Sequence, residues 1–194
     1  MKILVLLRGW RRSPDGSLDV EKLGPFERAA LGTAFALREA YDGDVEVSAM
    51  AAGGEHEDEA LAVAHALGVP QTYRVWSPIL ADIDALGVAQ ALAHGAKHTG
   101  YDLVLAGFRS PDYAQGFIGP AVADLLGVPH LTGVRSLAWD GERLAAERGC
   151  EGALFKHTLA LPSLVTVLGG DDPGSPRPTQ DYQPELLTLD DLGL

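Results

Sequence analysis

The sequence predicts an α/β fold: a doubly wound, mostly parallel sheet with antiparallel strands added in the last third. Three observations predict it. Short β-rich runs alternate with longer helical patterns over the first two-thirds of the chain. Residues 2–7 (KILVLL) form an unbroken apolar run, as a central parallel strand buried on both faces does. Past Pro129 the pattern shortens and alternates, and Asp140-Gly141 interrupts it with a strong hairpin signal.

Each element has its own grounds. After KILVLL and a polar segment, GPFERAALGTAFALREAY predicts a helix, with Pro25 near its first position and Phe26, Ala30, Ala34 and Leu37 on one face. Residues 45–51 (VEVSAMA) predict a second strand. EHEDEALAVAHALG predicts a helix with acids in its first turn, favourable to the helix dipole, and Gly68 just past its end. TYRVW predicts strand three, residues 82–98 helix three, residues 102–106 (DLVLA) strand four, and residues 113–126 helix four. Right-handed crossovers wind these units into a Rossmann-like sheet. From Gly169 onward, Pro173, Pro176, Pro178 and Pro184 mark an extended acidic arm. The expected organisation is one α/β nucleotide-binding-like domain over residues 1–168 and an arm over residues 169–194.

At 194 residues the chain suits a single domain with a real core. Its formal net charge of −12 speaks against a nucleic-acid binder, which needs a basic face, and against docking on an anionic membrane. A single cysteine, Cys150, allows no internal disulfide and points to a reducing compartment, so the expected location is cytoplasmic. ERGCEG puts no base beside that thiol, which reads as a small strand side chain. No apolar run reaches the roughly 18 residues of a membrane span, and MKILVLLRGW is too short for a signal peptide's apolar core.

Several chemistries lack their motifs. No G-x-G-x-x-G follows the first strand, no G-x-x-x-x-G-K-[ST] is present, and no serine stands in a G-x-S-x-G elbow. His94 and His98 are spaced i, i+4, but no acid or cysteine shares their turn, so no metal site is expected. The informative stretch is GFRSPDYAQGFIGP, from Gly107 to Pro120, a glycine-bearing loop between an apolar strand and a helix. Asp112 and Gln115 stand three apart like a variant capping box. A capped helix start still directs backbone N–H groups at an anion, and in open α/β sheets ligands sit beyond the carboxyl ends of the strands.

The chain resembles the beta subunit family of electron transfer flavoproteins. MKILVLLR resembles the family's opening strand, with Arg8 where a lysine is usual. GPFERAALGTAFALRE resembles N-P-F-x-E-x-A-L-E-E-A, with Gly24 for the asparagine. EVSAMAAGG, EALAVAHALGV, DLVLAGFRSPD and LPSLVTV match further family stretches in the same order, covering about residues 1–180. The resemblance implies electron transfer in a heterodimer whose alpha subunit holds most of the FAD, while the beta subunit buries an AMP. By resemblance, the AMP pocket is lined by Leu6, by Gly24, Pro25, Phe26 and Glu27, by Ala52, and by the loop carrying Gly107, Asp112, Gln115, Gly116, Phe117, Ile118 and Gly119. Phe26 matches the aromatic that approaches the flavin, and it also suits a core position at a helix start.

The loop departs from the family. Where D-D-D-x-N-Q-T-G is usual, this chain reads D-Y-A-Q-G-F-I-G from Asp112. Losing hydrogen bonds to a charged group costs about 1.5–3 kcal/mol each, so AMP binding weaker than the family's is expected. The expected function is electron transfer with an alpha-type partner or through self-association, without catalysis by this chain alone. A second reading is an adenine-nucleotide-binding or sensor domain that needs no flavin.

Overall fold

A computed structural model describes residues 1–9, 23–110, 115–177 and 182–193. Among the described residues, nine strands form one sheet in the order β7-β6-β5-β8-β4-β1-β2-β3-β9. The first strand, β1 (Lys2–Leu6), pairs in parallel with β2 (Glu46–Ala52) on one side and β4 (Leu103–Gly107) on the other. Beyond β2 comes β3 (Gln71–Val75), and beyond β4 comes β8 (Ser163–Val167), both parallel to their neighbours.

Helix α1 (Pro25–Ala40) and helix α2 (His56–Ala66) cover one face, while α3 (Ala85–Thr99) and α4 (Ile118–Leu126) cover the other. The pleat of β1 explains its unbroken apolar run. Ile3 and Val5 point to the α1/α2 layer, Leu4 and Leu6 to the α3/α4 layer, and all four are buried. On β4, Leu103 and Leu105 divide from Val104 and Ala106 in the same way. The sheet is doubly wound, as the alternation of elements predicts.

The last third adds β5 (His130–Trp139), parallel to β8, and then the antiparallel pair β6 (Leu144–Cys150) and β7 (Ala153–Leu159). Asp140 and Gly141 make the β5–β6 turn, where the Asp140 carboxylate accepts from the Arg143 backbone N–H at 2.7 Å. Two helices differ from expectation. Helix three begins at Ala85, after a 3-10 turn at Pro78–Asp82, because Asp84 caps it by accepting from the Gly87 N–H at 2.9 Å. Helix four begins at Ile118, so the described residues Gln115 to Phe117 precede it.

From Gly169 to Arg177 the chain crosses α1 without helix or strand, held by an ion pair of 2.8 Å between Arg28 and Asp172. Tyr182 stacks on His65, and β9 (Glu185–Leu187) then joins the sheet beside β3 in parallel. No helix among the described residues is long and apolar enough to cross a membrane.

Candidate functional site

The order of strands reverses at β1: the crossover through α1 leads to one side of it, and the crossover through α3 leads to the other. In an open α/β sheet the crevice outside the carboxyl ends at such a point is where ligands sit. A crevice is found there, with about 470 Å³ of space including its open mouth. The cavity proper is small, about 40 Å³, below the roughly 300–1,000 Å³ typical of small-molecule sites.

The carboxyl ends of β1, β2 and β4 supply Leu6, Ala52 and Gly107 to its wall. Glu27 enters from the first turn of α1, and Gln115, Gly116, Ile118 and Gly119 from the loop and start of α4. These eight positions, singled out in the sequence, are brought together. Gly24 and Pro25 instead form the start of α1, as its N-cap and first residue, and Phe117 is 43% exposed outside the crevice. Asp112 lies outside the described residues. Phe26 leans on Gly107, where a Cβ would stand 3.0 Å from its own, and meets Phe108 edge-on with ring centroids 6.0 Å apart. The guanidinium of Arg109 lies 5.2 Å from the Phe108 centroid.

The crevice also takes in Leu7, Arg8, Ala106 and Ser110, and Val88 and Leu92 from α3. Ser110 falls in the loop from Gly107 to Gly119 that the family resemblance implies, and the other five are not among the pocket residues it picks out. The i, i+4 spacing of Val88 and Leu92 marks an inward helix face, but only the strand order reveals that the face reaches this crevice.

The loop is closed by the Ser110 backbone N–H donating to the Gln115 carbonyl at 3.2 Å. The capping-box expectation does not survive. With the helix starting at Ile118, Gln115 stands two residues before the N-cap, Phe117, whose own side chain makes no capping hydrogen bond. Proline at the third helical position, Pro120, offers no N–H, and the N–H of Ala121 donates to the Phe117 carbonyl at 3.0 Å. That leaves at most the N–H groups of Phe117, Ile118 and Gly119 for an anion. Gly119 has a packing reason to be small, since a Cβ there would stand 2.3 Å from Thr166 Cγ2 on β8. Among the described residues, the charged side chains on the crevice wall are Arg8 and Glu27, and Glu27 is only 4% exposed. Ser110 and Gln115 add a hydroxyl and an amide to that wall, while Leu6, Ala52, Val88 and Leu92 make part of it apolar.

Residues 18–185 match the family model described as Electron transfer flavoprotein domain. The chain belongs to that family. Within the electron transfer flavoproteins it is similar to the subunit beta of Bacillus subtilis (strain 168), 31% identical over 179 residues, covering 89% of this chain and 69% of the relative. It is 30% identical over 146 residues to the subunit beta of Thermoanaerobacterium thermosaccharolyticum, covering 75% of this chain and 55% of that relative. The subunit beta of Clostridium acetobutylicum is 28% identical over 146 residues, with 75% and 56% covered. The chain thus spans between just over half and about two-thirds of the length of these curated relatives. These modest identities make it a divergent member of the beta-subunit family.

Proposed function

We propose that the chain acts in electron transfer as the beta-type subunit of a complex whose alpha-type partner holds most of the FAD. The observation that carries this reading is the match to the electron transfer flavoprotein model over residues 18–185. FAD, bound mainly by the partner, supplies the one-electron chemistry. This chain's part is positional. Gly107 lets the first turn of α1 approach β4, and the Phe26–Phe108 pair with Arg109 forms a ledge of flat groups beside the crevice. Such a ledge excludes water from a planar cofactor presented by a partner. A cytoplasmic setting accords with the free, exposed Cys150.

Co-expression with the alpha-type subunit of the same organism, with purification through a tag on this chain, tests the reading. A stoichiometric complex with a flavin absorption spectrum is expected. A colourless chain that leaves the alpha-type subunit behind would overturn it. The second reading is an adenine-nucleotide-binding or sensor domain without flavin. It predicts that this colourless chain would still bind a small ligand.

A further inference from the structure

We propose that a second groove, at the amino ends of the strands, binds a small amino dicarboxylic acid, a molecule carrying two carboxylates and one ammonium. It lies at the opposite end of the sheet from the crevice and does not depend on the electron-transfer reading. Lys2 of β1, Glu46 and Ser48 of β2 and Tyr73 of β3 line it, with Arg38 from the last turn of α1 and Gly100 at the end of α3. Its cavity is about 460 Å³ against about 40 Å³ for the crevice, room enough for a small organic molecule.

The charges of the lining select the occupant. Lys2 and Glu46 are register partners on neighbouring strands, on the sheet face that Leu4 and Met50 share. Side by side, they are placed to form an ion pair, and they do not form one. The Lys2 ammonium stands instead at the end of α3, 3.9 Å from where a Cβ on Gly100 would be. There it meets the negative end of the helix dipole. The Glu46 carboxylate lies near Tyr73, whose phenol is raised above its ordinary range by burial and then by Glu185 and Glu46. That phenol therefore keeps its proton. The Arg38 guanidinium rests over the Phe35 ring, 4.8 Å from its centroid. Among the described residues, the side chains of Lys2, Arg38 and Glu46 make no hydrogen bond and no ion pair.

Two unpaired cations and one unpaired carboxylate thus face one groove. Their complement is two carboxylates and one ammonium. A planar carboxylate suits the fork of Arg38, a second meets Lys2, and the ammonium is taken by Glu46. The Ser48 and Tyr73 hydroxyls can each donate or accept beside them. On a chain of net charge −12, a lining of two cations and one anion is a local place where a net anion is attracted. A plain dicarboxylate or an inorganic phosphate leaves Glu46 facing charge of its own sign, and a diamine meets Lys2 and Arg38.

Amide NMR titration of the full chain with L-glutamate, glutarate and inorganic phosphate, at constant ionic strength, tests this. L-Glutamate is expected to give saturable shifts at Lys2, Ser48, Tyr73 and Gly100. It should bind about five-fold more tightly than glutarate, the advantage of one exposed ion pair, with phosphate weaker than either. Glu46→Gln removes the partner of the ammonium and the repulsion of the plain dicarboxylate together. It should weaken L-glutamate by about five-fold and tighten glutarate, while Arg38→Gln weakens both. Glu46 is exposed, so its variant keeps the fold, and an unchanged melting temperature checks this. Absence of saturable shifts at these amides would overturn the proposal. So would glutarate or phosphate binding as tightly as L-glutamate, or a Glu46→Gln chain that retains the original preference.

Discussion

Replacing Gly32 with alanine tests how the C-terminal segment is fastened to the domain. Gly32 is buried in the middle of α1, where glycine-to-alanine alone stabilises a helix by about 1 kcal/mol. Here a Cβ would stand 1.7 Å from the carbonyl oxygen of Asp171 and 2.7 Å from its carbonyl carbon. The clash is with backbone, so no rotamer change relieves it, and either α1 or the segment has to move. The segment has little room. Gly170 is equally tight, with its own Cβ position 2.5 Å from Thr33 Oγ1, and Arg28 donates to Asp172 at 2.8 Å and to the Gly174 carbonyl at 2.9 Å. Overpacking costs about 1–3 kcal/mol. Lifting the segment also breaks the Arg28 contacts, which are solvent-exposed and contribute little. After the gain in helix propensity, Gly32→Ala is expected to destabilise by up to about 2 kcal/mol. Urea unfolding should show a lower midpoint with an unchanged slope, and chymotrypsin should cut faster at Tyr182. A more stable variant with unchanged cleavage would refute the reasoning.

Burial lifts the Asp58 carboxyl above the ordinary aspartate range, against the pull of Arg74 2.7 Å away. The folded chain then holds this proton more tightly than the unfolded chain, so the group's contribution is full below the ordinary range and lost as pH rises through the lifted value. Asp58→Asn should flatten that stretch of the profile in urea midpoints measured across the pH just above the ordinary range; equal slopes would contradict it. Leu4, fully buried beneath the α3/α4 layer, should cost about 2–5 kcal/mol as Leu4→Ala in chemical denaturation. On the edge strand β7, Leu154 and Phe155 are 55% and 49% exposed. Phe155→Lys should lower concentration-dependent light scattering at unchanged melting temperature, and unaltered scattering would show that the edge is not adhesive.

Most of the parallel sheet was legible because its signals are local. KILVLL declares a two-faced burial, Pro25 opens α1, and Asp140-Gly141 turns β5 into β6. The start of α4 was not legible, since Asp112 and Gln115 carry the residue types of a cap while the helix begins three residues after Gln115, where Pro120 loses nothing by lacking an N–H. Nor was β9, a three-residue strand in a proline-bearing tail that exists only because β3 offers it an edge. At the site, the residues contributed by strand ends and the loop were within reach of motif comparison. Val88 and Leu92 were not, because their place depends on which strand β4 chooses as a neighbour.

The position of β8 has a consequence for how the chain is made. Every residue of Ser163–Val167 is buried, and the strand sits between β4 and β5, paired with both. As the polypeptide leaves the ribosome, β1 to β4 can assemble early, yet the outer edge of β4 then stays open until β8 arrives some sixty residues later. During that interval Leu103 to Gly107 presents unpaired backbone beside apolar side chains, and the β5–β7 ribbon has nothing to dock on. Pairings at such separations close slowly, and open apolar edges invite the wrong partner. The two halves of the sheet become one cooperative unit when β8 slots between them. Newly made chains should therefore be most dependent on chaperones, and most prone to cleavage, in the window between the emergence of β4 and that of β8.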